Sequence, residues 1–231
     1  SLGHQSDNVI SFSICDIPLA ICKFSTDLGV IVDSELKFSK HINEIVVRAK
    51  QRAAIIHRCF LSRNVKNLIL AFKTYVRPVL EYAPQIWSPY LTSLINLVES
   101  VQRSFTKRLP GFSDFSYAER LIKLKLQSLQ QRRLISDLIT CYNIVHGFTA
   151  LKFNDFFVFS INTKTRGNTL KLAVPLDKTD IRKYFFASRV IPIWNSLPAK
   201  IVTASSTKLF KNFINSYDLK LFLDFPCILN L

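Results

Sequence analysis

The chain has 231 residues, 48% of them hydrophobic and 12% aromatic, which is enough to bury a sizeable core and too apolar for an intrinsically disordered segment. Lys and Arg number 31 against 16 Asp and Glu, a formal charge of +15. A surface of that sign attracts polyanions by counterion release, so nucleic acid is the leading partner class and a membrane surface the other option.

No apolar run approaches the ~18 residues of a membrane span, and the opening SLGHQSDNV lacks the basic-then-apolar order of a signal peptide. The expectation is an intracellular protein, nuclear or cytoplasmic, with no membrane partner. Methionine is absent throughout, as expected of a piece of a longer reading frame. The five cysteines (Cys15, Cys22, Cys59, Cys141 and Cys227) include no CxxC pair, and most are expected as core thiols in a reducing compartment.

Residues 8–32 are rich in Val, Ile and Phe and are broken at Asp16-Ile17-Pro18 and Ser25-Thr26-Asp27, which predicts a β-meander of two or three strands. Gly29 lies inside the last apolar run, as a bulge, a close backbone approach or an ordinary strand glycine. Asp33 to Lys40 reads as a polar turn. From His41 to Leu61 the apolar residues Ile42, Ile45, Val46, Ala49, Ala53, Ile56 and Phe60 recur at steps of three and four, one stripe of an amphipathic helix. Arg48, Lys50 and Arg52 lie off that stripe, either simply solvated or following a phosphate backbone.

Asn64 is placed to cap a helix with Leu68, Ile69, Phe72 and Val76 on its inner face, which Pro78 should kink or end. Val79 to Trp87 then forms a corner expected to bury the rings of Tyr75, Tyr82 and Trp87, with a base-stacking platform as the less favoured reading. Ser88-Pro89 offers a cap and a first-turn proline to a helix burying Leu94, Val98, Val101, Phe105 and Leu109. Its last turns carry Arg103, Lys107 and Arg108, which suit the negative end of the helix dipole, and Gly111 is a natural stop. Ser116-Tyr-Ala-Glu119 and Ser128-Leu-Gln-Gln131 are capping boxes that predict helices over roughly 117–125 and 129–146. Arg132 and Arg133 fall in the first turns of the second, where cations oppose the dipole and need a partner, an external phosphate or carboxylate or, more commonly, a carboxylate in the fold. Beyond Phe148 the β-branched and aromatic runs suggest short strands or extended loops, before helical spacing returns at 185–197 and 205–217.

Two-metal phosphoryl chemistry needs two or three carboxylates converging on ions about 4 Å apart. No D-x-D or DD pair occurs, and Asp27 and Asp33 read as turn residues. His4, His41, His57 and His146 lack metal-ligand spacing, and no G-x-S-x-G, P-loop or G-x-G-x-x-G is present. On these residues the chain alone is not expected to be an enzyme, and it implies no metal or other cofactor.

Five segments occur in one order: DLGVIVDSELKFSKHI (27–42), YVRPVLEYAPQIWSP (75–89), LVESVQRSFTKRLPG (97–111), SYAERLIKLKLQSLQQRR (116–133) and VIPIWNSLPAKIVTASSTKLFKNF (190–213). Together the series resembles the C-terminal part of reverse transcriptases of jockey-like non-LTR retrotransposons (LINE elements), over residues 27–213. That family's YADD motif lies upstream of the LGV segment and is absent here, so polymerase activity does not carry over, and magnesium is expected only for the absent catalytic part.

The resemblance implies an α+β, predominantly α chain: a small β-hairpin closing an absent palm as a primer grip (1–40), a helical thumb-like bundle (41–148) and a mixed C-terminal region (149–231). The expected partners are an RNA–DNA or DNA duplex and the upstream palm and fingers of the parent polymerase. Under this reading Arg48, Arg52, Arg103, Lys107, Arg108, Arg132 and Arg133 become candidate phosphate contacts, which hold a duplex without reading its sequence. Five or six such contacts imply a log–log salt slope on the order of −4 to −5. The rival readings are a decayed relic serving only as a structural or protein-interaction module, and a stand-alone enzyme.

Overall fold

Apolar spacing of three and four residues dominates the chain from Ile42 to Val145 and returns near its end. The structure, a computed structural model that describes residues 13–15, 17–18, 22–160 and 170–223, is accordingly an α+β fold made mostly of helix. Two short antiparallel pairs precede the helices: β1 (Ser13–Ile14) with β2 (Ile17–Pro18), and β3 (Phe24–Asp27) with β4 (Val30–Asp33). The remainder of the expected meander, residues 8–12, 16 and 19–21, lies outside the described residues.

Pairing of Asp27 with Val30 leaves Leu28 and Gly29 as a two-residue hairpin turn with φ of 44° and 83°. Positive φ at both central positions matches the right-handed twist of the flanking strands and calls for glycine. Gly29 is therefore a turn residue rather than a bulge or a strand glycine. A Cβ there would meet Tyr82 Cε1 at an ordinary 3.9 Å, so backbone conformation and not space selects the residue. The exposed Leu28 accepts a hydrogen bond at its carbonyl from the Tyr82 hydroxyl (2.9 Å), which ties the hairpin to the corner 54 residues on. Asp33 is the turn residue it was read as: its carboxylate accepts from the backbone N–H groups of Glu35, Lys37 and Phe38 at 3.1, 3.1 and 2.7 Å and sets the entry to the first helix.

That helix, α1 (Ser39–Cys59), buries the predicted stripe from Ile42 to Ile56 but ends before Phe60, which is left partly exposed. Asn64 caps α2 (Val65–Ala71) by accepting from Lys66 N and Asn67 N. The helix neither breaks nor kinks simply at Pro78. It widens into a π turn (Phe72–Val76), in which Arg77 N–H bonds Phe72 O five residues back, and then continues as α3 (Arg77–Glu81). Proline offers no N–H and its ring crowds the carbonyl four residues earlier, and one wide turn ahead of it relieves that clash without losing the inward face of Leu68, Ile69, Phe72 and Val76.

The corner closes with α4 (Pro84–Trp87), where buried Trp87 donates from Nε1 to Tyr82 O at 2.7 Å. Tyr75 and Tyr82, expected in the core, are instead 57% and 54% exposed. They fall on the outer side of the segment, and of the three rings only the indole enters the core, beside Leu80 and Pro84. Ser88 closes α4, its N–H bonding Pro84 O, so α5 (Thr92–Lys107) begins later than the Ser88-Pro89 signal suggested. The capping box at Ser116 is complete and opens α6 (Tyr117–Leu124), and the Ser128 hydroxyl caps α7 (Leu129–Val145) through Gln131 N.

Beyond α7 the described residues form α8 (Phe153–Phe156), α9 (Asp180–Lys183), α10 (Phe186–Ser196), α11 (Ala199–Val202), α12 (Thr207–Ser216) and a 3-10 turn (Lys220–Phe222). The strands expected here reduce, among the described residues, to one bridge between Phe159 and Leu172. Side chains of α10 take the place of a neighbouring strand. Asn195 brackets Leu172 by accepting from its N–H and donating to its carbonyl, both at 2.8 Å, and Trp194 Nε1 donates to Leu170 O at 2.8 Å.

Two hydrophobic cores result. One joins β4, α1, α2, α3 and α5 from Val30 to Leu109 and ends on Leu129; the other begins at Ile135 and gathers the rest of α7 with α10 and α12 around Tyr142, Trp194 and Phe210. The division thus falls within α7. Three of the four described cysteines, Cys15, Cys22 and Cys59, are exposed and only Cys141 is a core thiol, against the expectation for most of them.

Trp87 separates ring volume from polar contact. Trp87→Phe removes the bond to Tyr82 O and should cost about 1 kcal/mol, whereas Trp87→Ala also empties the corner and should cost about 3–5 kcal/mol; urea unfolding of both variants measures the difference.

Candidate nucleic-acid interface

Cations with apolar stems are displayed wherever a helix turns its stripe inward, and the first test of a contact surface is which of them the fold leaves facing solvent. Arg48 and Arg52 lie on the exposed side of α1. Arg48 is 3.9 Å from Glu44, a loose i,i+4 pair. Arg52 donates from Nη1 to Tyr75 O at 3.0 Å, across to the π turn. Around that bond Arg52, Ile55, Phe60 and Tyr75 line a shallow hollow of about 360 Å³, one cation beside an exposed aromatic ring.

Lys107 and Arg108 are exposed at the end of α5. The α5 terminus meets the α1 terminus, where His57 packs on Phe105 at 4.5 Å between ring centroids. Arg63, which sequence reasoning did not single out, joins Arg108 there, and both lower the basicity of the buried His57 after burial itself. Arg63, Lys107 and Arg108 form no ion pair among the described residues. Arg63 sits in a polar connector ahead of a helix cap, with no periodicity to mark it.

The other three candidates turn inward. Arg103 is half-buried with its guanidinium 5.2 Å from the Tyr117 ring. Arg132 makes a two-point contact with Glu81, through Nε and through Nη2 at 2.8 Å, and Glu81 also receives Arg77 Nε at 3.3 Å. A carboxylate within the fold is therefore the partner that Arg132's place near a helix start demanded. Arg133 is 2% exposed and stands inside the protein rather than on its outer surface, because it falls on a packed side of α7. Burial pushes its guanidinium down to about 10, which still leaves it charged at neutral pH.

The enclosure is itself polar. Glu99 of α5 accepts from Leu129 N at 3.1 Å and Gln130 N at 3.2 Å, placing an anion on the positive end of the α7 dipole, and it also receives the Tyr117 hydroxyl. About two turns further along α7, the buried Asp137 accepts from Arg189 of α10 at 2.9 and 3.2 Å, and burial still holds its carboxyl above the usual range. Among the described residues no group of three His, Cys, Asp or Glu side chains could hold a metal ion, and no helix is long and apolar enough to cross a membrane.

Comparison with known proteins gives two partial likenesses. The chain is 32% identical over 124 residues to an uncharacterised protein of Caenorhabditis elegans, covering 52% of this chain and 63% of that protein. It is 26% identical over 99 residues to a probable RNA-directed DNA polymerase from the transposon X-element of Drosophila melanogaster, covering 42% of this chain and 11% of that protein. No protein-family profile and no solved structure matches. The similarity to a transposon polymerase is thus weak and partial, and the chain spans under two thirds of the length of either relative.

The two histidines nearest these cations give the interface a pH signature. Burial lowers both His41 and His57, and His41 Nδ1 accepts from Ile31 N at 3.3 Å, which requires that nitrogen unprotonated. The unfolded chain therefore takes up these protons first, and the stability contributed by the neutral rings is full above about pH 6.5 and lost as pH falls through the folded values. Unfolding free energy should fall between pH 7.5 and 5.5, and His57→Gln should flatten part of that slope. In an NMR titration Arg108→Ala should move the His57 midpoint upward by removing a like charge.

Proposed function

We propose that this chain is the thumb and downstream part of a retrotransposon RNA-directed DNA polymerase. In this reading it holds a template–primer duplex, RNA–DNA or DNA, through backbone phosphates, while the parent enzyme's palm and fingers supply the chemistry. The observation that carries the reading is the set of outward cations on α1 and at the end of α5: Arg48, Arg52, Lys107 and Arg108, extended by Arg63, of which, among the described residues, only Arg48 is in an ion pair, a loose one. A formal charge of +15 is in keeping with a polyanionic partner, as is the partial similarity to the X-element polymerase. Cations at helix ends and on one helix side suit contacts that follow a backbone and carry no base readout.

The rival reading, a module that binds protein, draws on one observation. Val32, Leu36, Ile86, Trp87, Leu94 and Phe186 line an apolar groove of about 310 Å³ beside the corner. Such grooves serve protein contacts as readily as small ligands.

Mobility-shift titration of the full chain against a mixed-sequence RNA–DNA duplex separates the two. Four acting phosphate contacts give a log–log salt slope of roughly −3 to −4. Lys107→Glu combined with Arg108→Glu should weaken binding at low salt at least tenfold and make the slope shallower by about 2. Absence of binding at low salt would overturn the duplex reading. A protein that binds with no salt dependence would do the same.

A further inference from the structure

The inward cations pose a separate question, because they outnumber the carboxylates that could satisfy them. Between α3, the first turns of α7 and α12 lies a cleft of about 360 Å³, lined by Arg77, Arg132, Arg133 and Lys211 and by a single carboxylate, Glu81. That volume is within the range of small-ligand sites, roughly 300–1,000 Å³. Across its mouth Gln127 Nε2 donates to Asn215 Oδ1 at 3.2 Å, joining the connector before α7 to α12.

Arg133 is the anomaly. It is 2% exposed, it lines the cleft, and among the described residues its Nε and Nη1 have no hydrogen-bond partner. Buried guanidinium groups are normally bonded, as Arg189 is to Asp137 one turn away. Three carboxylates act on Arg133 through space, those of Glu99, Asp137 and Glu81. Each is already engaged elsewhere: Glu99 by Tyr117 and the α7 backbone, Asp137 by Arg189, and Glu81 by Arg132 and Arg77. The field of these carboxylates keeps Arg133 charged, but none completes its donor set. Arg77 and Arg132 meanwhile repel each other and share one carboxylate.

We propose that this cleft binds a single phosphate group, as a free phosphate compound or as a phosphodiester of a nucleic acid. Four cations against one carboxylate leave an excess of positive charge for an anion to neutralise, one charge on a phosphodiester and up to two on a free phosphate compound, and the planar forks of three arginines match phosphate oxygens. Lys211, exposed on α12, adds a compact ammonium charge to the lining. The site shares no residue with the outward cations of α1 and α5, so it stands whether or not those hold a duplex.

The test is calorimetric titration of the full chain with sodium phosphate at constant ionic strength, with acetate as the control anion and thermal unfolding as a second readout. Saturable phosphate binding with a raised Tm, and neither with acetate, is expected. Lys211 is exposed, so Lys211→Glu leaves the core alone; it should weaken phosphate at least tenfold, a loss of about 1.4 kcal/mol. Arg133→Met tests the buried donor and is interpreted only alongside Lys211→Glu, since it also changes the interior. Phosphate that binds no better than acetate, or equally well to wild type and Lys211→Glu, would overturn the site. Duplex added to the phosphate-loaded chain identifies the source: displacement of phosphate, with weaker duplex binding by Lys211→Glu, marks a phosphodiester, and retained phosphate marks a free compound. Failure of phosphate binding would leave the salt-dependent retention through Lys107 and Arg108 intact, so the two readings fail separately.

Discussion

A single helix forming a wall of two cores is the constraint from which most of this structure follows. The start of α7 closes the first core at Leu129, and its later turns carry Leu138, Cys141, Tyr142 and Ile144 into the second. A helix enclosed in that way cannot leave its first turns to water, where four backbone N–H groups lack helical partners. Glu99 and Ser128 supply acceptors to those of Leu129, Gln130 and Gln131 from within the fold. The polar residues of α7 that follow, Arg132, Arg133 and Asp137, are then carried into the seam and must find charge partners there. Such pairs contribute little net stability over an apolar filling, but loss of one partner is costly because the other remains buried. The seam therefore fixes how the two cores are joined more than it strengthens them.

This arrangement sorts the basic residues into two populations that composition cannot distinguish. Arg48, Arg52, Lys107 and Arg108 stand on the outside of helices whose apolar stripes face inward, so their charge is available to a partner. Arg77, Arg132, Arg133 and Arg189 belong to the seam, and part of the +15 is committed to internal carboxylates. Salt should screen the first population readily and the second far less.

Much of this was legible in the sequence because it depends on local chemistry. The stripe of α1, the caps at Asn64, Ser116 and Ser128, and the turn at Asp33 are each set by residues within a few positions of one another. What escaped depends on contacts across the chain. Tyr75 and Tyr82 read as core from their size, yet of the three rings only that of Trp87 enters the core. The β-branched texture after Phe148 promised strands, but Asn195 and Trp194, over twenty residues away, supplied the hydrogen bonds a neighbouring strand would have given. The pairing of Arg132 with Glu81, 51 positions apart, followed the expectation that an internal carboxylate would meet it, though no spacing rule named which one. Arg63 carried no signal at all until α1 and α5 brought it beside Arg108.

The bond from Arg52 to Tyr75 O has an entropic consequence. A free arginine on a helix surface samples many rotamers, and immobilising such a side chain on a ligand costs about 0.5–1.5 kcal/mol. Arg52 already gives up part of that freedom to the backbone of the π turn, through one nitrogen only, in the hollow it lines with Tyr75. Lys107, in no ion pair among the described residues, keeps that rotamer freedom. Of the outward cations, Arg52 is thus tied to backbone, where Arg48 is tied only to the side chain of Glu44.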